Sequence, residues 1–133
     1  MNIVKKLIHF NEGLLLESGS KLDSFDLMIE TYGELNKDKS NAILVCHAFS
    51  GDHHAAGVDS ETGQVGWWDQ IIGPNKAIDT NKYFVVCSNN LGGCSGSSGP
   101  TSVNNDTGKV YGKDFPAVSI ADWVNSQKLL SDF

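Results

Sequence analysis

The run Ala42-Ile43-Leu44-Val45-Cys46 most restricts how this chain folds. Its residues are apolar without alternation, which predicts a strand covered on both faces, as in a parallel sheet. It ends in His47-Ala48-Phe49-Ser50-Gly51, a loop of small and polar residues at the strand's carboxyl end. In open α/β sheets ligands bind at the carboxyl ends of strands, so this loop is the first place to look for a site. Tyr83-Phe84-Val85-Val86-Cys87 is a second apolar, β-branched run and is read as another buried parallel strand. It too is followed by a small-residue loop, Ser88 to Asn105.

The flanking segments fill in the class. Gly13 to Glu17 is a short apolar run, and Ser18-Gly19-Ser20-Lys21 supplies turn residues. From Phe25 to Glu34 the pattern alternates, with Phe25, Leu27 and Ile29 on one side and Asp26, Met28 and Glu30 on the other. That period predicts a half-exposed antiparallel strand, so the first 35 residues read as an antiparallel hairpin at a sheet edge. Asn36 to Asn41 is a charged turn. Between the two apolar runs lies a long loop, Ala48 to Asn81, with a short helix predicted around Trp68 to Ile72. Ser119 and Asp122 have the spacing of a capping box and predict a helix running to the terminus. Its expected apolar stripe is Ile120, Trp123, Val124, Leu130 and Phe133, interrupted by Gln127.

Bulk properties exclude several classes. The 133 residues suffice for one domain with one core, and a net charge of −6 gives no support to a nucleic-acid or anionic-membrane partner. No apolar run approaches membrane-spanning length, and Met1 to Phe10 lacks the apolar core of a signal peptide, so a cytoplasmic location is expected. The cysteines, Cys46, Cys87 and Cys94, are odd in number and form no C-x-x-C pair, which argues against zinc and against a disulfide framework. Cys46 and Cys87 sit inside apolar runs and read as small buried hydrophobes.

Four features carry candidate chemistry. The loop Gly92 to Gly99 matches neither a P-loop nor a dinucleotide fingerprint, leaving a tightly turning loop or a wall against which a ligand approaches backbone. His47, His53 and His54 lack a third ligand at a characteristic spacing, so structural hydrogen bonding is expected of them and no metal. A thiol nucleophile at Cys94 would need a histidine beside it in space, a proximity that sequence alone does not show. His47-Ala48-Phe49-Ser50-Gly51 stands where α/β-hydrolase folds place the loop that gives one backbone N–H to an oxyanion hole. By position that donor is Phe49, a backbone role that any side chain permits.

Taken together, Asn41 to Ala48, Gly51-Asp52-His53-His54-Ala55-Ala56-Gly57, Gly66-Trp67-Trp68-Asp69, Ile72-Gly73-Pro74, Ile78-Asp79-Thr80, Asn89 to Cys94, Gly96-Ser97-Ser98-Gly99-Pro100, Tyr111-Gly112, Asp114-Phe115-Pro116 and Gln127 to Leu130 resemble the amino-terminal part of the homoserine O-acetyltransferase family. The resemblance covers nearly the whole chain; Phe49-Ser50 departs from the Leu-Thr or Leu-Ser of many members. It implies an α/β fold, a partial α/β-hydrolase: an antiparallel edge hairpin, then parallel strands with helices, residues 1–133 being the amino-terminal part of a single domain. It implies acyltransferase chemistry in methionine biosynthesis by a ping-pong route, in which a serine accepts acetyl from acetyl-CoA and passes it to the homoserine hydroxyl, a histidine acting as base and an aspartate orienting it. Acetyl-CoA is then a substrate, no cofactor is implied, and the full-length enzyme is expected to be a homodimer.

The nucleophile elbow itself is missing. Gly93-Cys94-Ser95-Gly96-Ser97 and Gly96-Ser97-Ser98-Gly99-Pro100 both fail G-x-S-x-G at the last position, and no residue here matches the serine, aspartate or histidine of the triad. The chain is therefore expected to stop before the elbow strand and to be inactive alone. Without that neighbour, Ala42 to Cys46 should present an open edge and partly uncovered apolar faces, which invites association. Two alternatives remain: a non-catalytic chain that pairs with a full-length subunit, or a serine/homoserine O-succinyltransferase of the same family. An esterase of this fold is disfavoured by the Gly-Asp-His-His and glycine-serine segments.

Overall fold

A computed structural model describes residues 1–132. The elements in order are β1 (Ile3–Phe10), β2 (Leu14–Leu15), β3 (Lys21–Leu22), β4 (Phe25–Tyr32), β5 (Ala42–Val45), β6 (Ile72–Gly73), β7 (Ile78–Asp79), β8 (Phe84–Ser88), β9 (Val103–Asn104), β10 (Lys109–Val110), a 3-10 turn (Gly112–Asp114) and α1 (Ile120–Ser131). β1, β4, β8 and β5 form one sheet in that order. The chain divides into two compact units, Met1–Lys6 with Ile29–Ser88, and Leu7–Met28 with the residues from Asn89 onward.

In the first unit β4 is antiparallel to β8, with Ile29 opposite Ser88 and Tyr32 opposite Val85. β5 is parallel to β8, with Ala42 opposite Phe84 and Val45 opposite Cys87. Both apolar runs are thus the parallel neighbours expected of them. Tyr32, Val45, Ala55, Ala56, Ile72, Val85 and Cys87 make the core, with Ile3, Ile43 and Ile78 packed against it.

β5 departs from expectation in its burial. Val45 is buried, but Ala42 is exposed and Leu44 is 46% exposed. Among the described residues the strand stands at the end of the sheet order with β8 as its neighbour, and the face that carries Ala42 and Leu44 is exposed. The open edge and uncovered face anticipated for this strand are present.

The segment between β5 and β8 is irregular apart from the short parallel pair β6–β7 and a bridge between Val58 and Val65. The helix expected at Trp68–Ile72 is replaced by one turn, in which the Ile71 and Ile72 amides donate to the Trp68 carbonyl at 2.9 and 3.1 Å. Pro74 disfavours α geometry at the preceding residue, and Gly73 goes into β6 instead. Trp67 and Trp68 stack with centroids 5.6 Å apart. Gly66 is required there: a Cβ would lie 2.2 Å from the Ala56 nitrogen.

In the second unit Phe10 stacks on Phe25 at 4.8 Å, and Leu14, Leu16, Leu22 and Leu27 are buried. β2 and β3 form a small antiparallel ladder. The glycine-serine loop is a tightly closed turn: Gly92 N–H donates to Ser98 O at 2.7 Å, and Ser97 Oγ donates to Asn89 O at 2.6 Å. A Cβ on Gly99 would stand 2.3 Å from Gly93 O, so backbone lies against backbone there. The β9–β10 hairpin was not anticipated; Asn104 to Gly108, turn residues between Val103 and Val110, was the signal for it.

α1 begins where the capping box places it: Ser119 Oγ accepts from the Asp122 amide, and Asp122 Oδ2 accepts from Ser119 N–H at 2.9 Å. The expected apolar stripe is overturned. Asp122, Ser126 and Gln127 face inward, while Ile120 and Val124 are 72% and 59% exposed; Phe133 lies outside the described residues. Polar anchors set this rotation. Asp122 Oδ1 accepts from the Glu17 amide at 2.9 Å, Trp123 Nε1 donates to Leu91 O at 2.8 Å, and Gln127 Nε2 donates to Asn90 Oδ1 at 3.1 Å. Among the described residues no helix is long and apolar enough to cross a membrane.

Candidate functional site

The loop leaving the carboxyl end of β5 turns at once. Gly51 N–H donates to Ala48 O at 2.8 Å, and His47, which is buried, sets Nδ1 2.6 Å from the same carbonyl. Phe49 follows Ala48 in this turn and is 90% exposed.

The following segment is held by side-chain hydrogen bonds to its backbone. The Asp52 carboxylate accepts the His54 amide at 2.8 Å, and the Asp52 carbonyl accepts Trp67 Nε1 at 3.0 Å. Asp69 accepts the Gly57 amide at 2.8 Å and pairs with Lys76 at 3.0 Å. These bonds hold the Asp69 carboxyl below the usual carboxylate range.

Beneath the segment lies a buried group of three. The Tyr32 hydroxyl accepts from the amides of Ala55 and Ala56 at 2.7 and 3.1 Å, and donates to Glu30 Oε2. Glu30 Oε2 also lies 2.8 Å from His54 Nδ1, and His54 Nε2 lies 3.0 Å from the Gln64 carbonyl. Burial, then the bond to Glu30, pushes the Tyr32 hydroxyl far above its ordinary range. Burial pulls His54 down, but the bonds to Glu30 and Gln64 outweigh it and the net shift is upward. His53 moves the other way, lowered first by burial and then by Lys5; its Nδ1 is buried without a hydrogen-bond partner. The two adjacent histidines have opposite roles, and among the described residues no group of His, Cys, Asp or Glu is arranged to hold a metal.

Glu30 and Tyr32 escaped the sequence reading. The alternation of β4 put Glu30 on the exposed side, yet it is 3% exposed. Its signal was weak: an acidic residue two positions from a tyrosine, with a histidine pair downstream to pair with it. Cys94 is exposed, and Cys87 is buried, its thiol pushed up to about 12 chiefly by burial. Cys46, expected inside, is exposed because β5 ends one residue earlier. A cleft of about 330 Å³ beside Glu30 and His54 is closed by Lys5, Val58, Asp59 and Glu61. The second unit has a separate acidic cleft of about 530 Å³, walled by Asp23, Asp26, Asp106 and Asp114.

No family model matches the chain. Over 131 residues it is 60% identical to the homoserine O-succinyltransferase of Hahella chejuensis, a match spanning 98% of this chain and 34% of that one. The chain is homologous to about a third of a homoserine O-acyltransferase. Among solved structures, the homoserine O-acetyltransferase from Bacillus anthracis superposes with a TM-score of 0.88 at 38% identity, covering 99% of this chain and 37% of that one. Esterase E22 superposes with a TM-score of 0.88 at 41% identity, covering 98% and 37%. These neighbours are α/β-hydrolase fold enzymes, and the sheet described above is a part of that fold. The chain spans about a third of the length of the curated relatives it matches.

Proposed function

We propose that this chain forms the front wall of an active site that transfers an acyl group from acyl-CoA to the hydroxyl of homoserine, a step of methionine biosynthesis. The observation that supports the reading is the turn after β5, which sets the Phe49 backbone in the loop at the carboxyl end of a parallel strand, and in this fold such a loop supplies an oxyanion donor. Its N–H would stabilise the charge that develops on the acyl carbonyl oxygen. No residue of this sequence matches the family's serine, histidine or aspartate, and this reading assigns those roles to the part of the relatives that the match does not cover.

For the donor, succinyl-CoA ranks ahead of the acetyl-CoA expected from sequence, because the 60% identical relative is named for succinyl and the 38% identical structure for acetyl. The deciding experiment is a chimera in which this chain replaces the matching third of the Hahella chejuensis protein. Homoserine-dependent CoA release is expected, faster from succinyl-CoA than from acetyl-CoA. Phe49→Pro, which removes the N–H, should lower kcat about 100-fold or more, while Phe49→Ala should not. Equal rates for the two variants would refute the assignment of Phe49, and release without homoserine would favour the hydrolase chemistry of esterase E22.

A second reading has its own observation. The unpaired edge of β5, with Leu44 exposed, suits a chain that adds to the sheet of a full-length subunit. A stoichiometric complex on size exclusion with such a subunit supports it; elution of the two as separate species removes it.

A further inference from the structure

The segment that follows the proposed oxyanion turn is held by a proton. The Tyr32 oxygen receives two amide N–H groups, so its own proton points out, to Glu30 Oε2, the nearer of two acceptors, the His53 carbonyl standing 3.3 Å away. The Gln64 carbonyl only accepts, so His54 Nε2 must carry a hydrogen. That leaves the 2.8 Å contact between His54 Nδ1 and Glu30 Oε2, which needs one more proton. With it, both ring nitrogens donate, and the imidazole ties β4 to Gln64 in the Val58–Val65 hairpin. Without it, a ring nitrogen lone pair faces either a carboxylate or a carbonyl oxygen, and one of the two ties is lost.

We propose that Tyr32, Glu30 and protonated His54 are a positioning unit: Tyr32 fixes the backbone at Ala55 and Ala56, and the imidazolium clamps the Val58–Val65 hairpin over it. Its bearing on acyl transfer rests on the reading above, since the segment it fixes continues directly from the Phe49 turn. The surroundings favour the charge. Glu30 on β4 touches the ring, Asp59 raises its basicity across the hairpin, and Asp69 interacts with it favourably. Against it stand burial and the neighbouring His53, while Lys5 lies across the cleft from it with Glu61. Both Glu30 and His54 are buried, so salt screens the pair little.

The test uses the unmodified chain and two variants, with no acyl donor, so it stands apart from the assay of the proposed function. In ¹⁵N-histidine-labelled protein at about pH 6, both His54 ring nitrogens should carry protons, and His54 should titrate above 6.5. Glu30→Gln should lower that titration. Tyr32→Phe should speed amide exchange at Ala55 and Ala56 about ten-fold or more relative to β8 amides. A single protonated His54 nitrogen in the unmodified chain overturns the proposal, as does unchanged exchange at Ala55 and Ala56 in Tyr32→Phe. If that variant loses protection in β8 as well, the ring-nitrogen measurement and Glu30→Gln decide the matter.

Discussion

Val45 on β5 lies directly opposite Cys87 on β8 in a parallel ladder, and both side chains are buried. Burial, then the negative groups around it, pushes the thiol at that position up to about 12. Cys46, one residue beyond Val45, and Cys94 are exposed. Alkylation of the native chain at neutral pH should therefore modify Cys46 and Cys94 and spare Cys87, with all three modified in denaturant. Peptide mass spectrometry reads the pattern, and rapid native labelling of Cys87 would contradict the packing of this ladder.

The cap of α1 gives a graded pair of substitutions. Ser119→Ala removes the hydroxyl that caps Asp122 N–H and should cost about 1 kcal/mol. Asp122→Ala leaves two amides, those of Glu17 and Ser119, without their acceptor in a buried setting, and should cost about 2–3 kcal/mol. Urea unfolding of both variants tests the order. A smaller loss for Asp122→Ala would mean that the helix is not docked through its carboxylate.

The two adjacent histidines set a pH window of their own. His54 is raised in the fold, so its contribution is full below about 6.5 and is lost as pH rises through its folded value. His53 is lowered, so the unfolded chain takes up a proton near 6.5 that the fold refuses, and stability falls as pH drops below that point. The exposed His9–Asp26 pair has the same sign as His54 but is open to salt screening. Urea midpoints at high salt should peak near pH 6.5. His54→Gln should flatten the alkaline side, and His53→Gln should flatten the acid side. A profile unchanged by both substitutions rules out this assignment.

Leu44 is exposed on an edge strand, so Leu44→Lys should leave stability within about 0.5 kcal/mol while reducing self-association. Sedimentation velocity across a concentration series measures it. Unchanged association would place the sticky surface elsewhere, Ile120 and Val124 on α1 being the next exposed apolar pair.

The parts of the fold legible in the sequence were those set by local chemistry. The strands at Ala42 and Tyr83, and the cap at Ser119, follow from apolar runs and a four-residue polar spacing. What escaped was set by partners distant in sequence. Glu30 is buried because His54 and Tyr32 satisfy it, and α1 is rotated because Glu17, Leu91 and Asn90 offer it polar anchors. Hydrophobic period alone ranks Ile120 above Asp122 as an inward residue, and the hydrogen bonds reverse that order. The Phe49 turn could be located by position but not by residue type, because the role asked of it belongs to the backbone.

The parallel pairing of β5 with β8 encloses the whole irregular stretch from Cys46 to Tyr83. During synthesis, β5 therefore emerges roughly two to eight seconds before its partner strand exists. Through that interval Leu44 and Val45 are both without cover, and closing so long a loop is entropically slow. The sheet therefore cannot close between β5 and β8 until Phe84–Ser88 has been made.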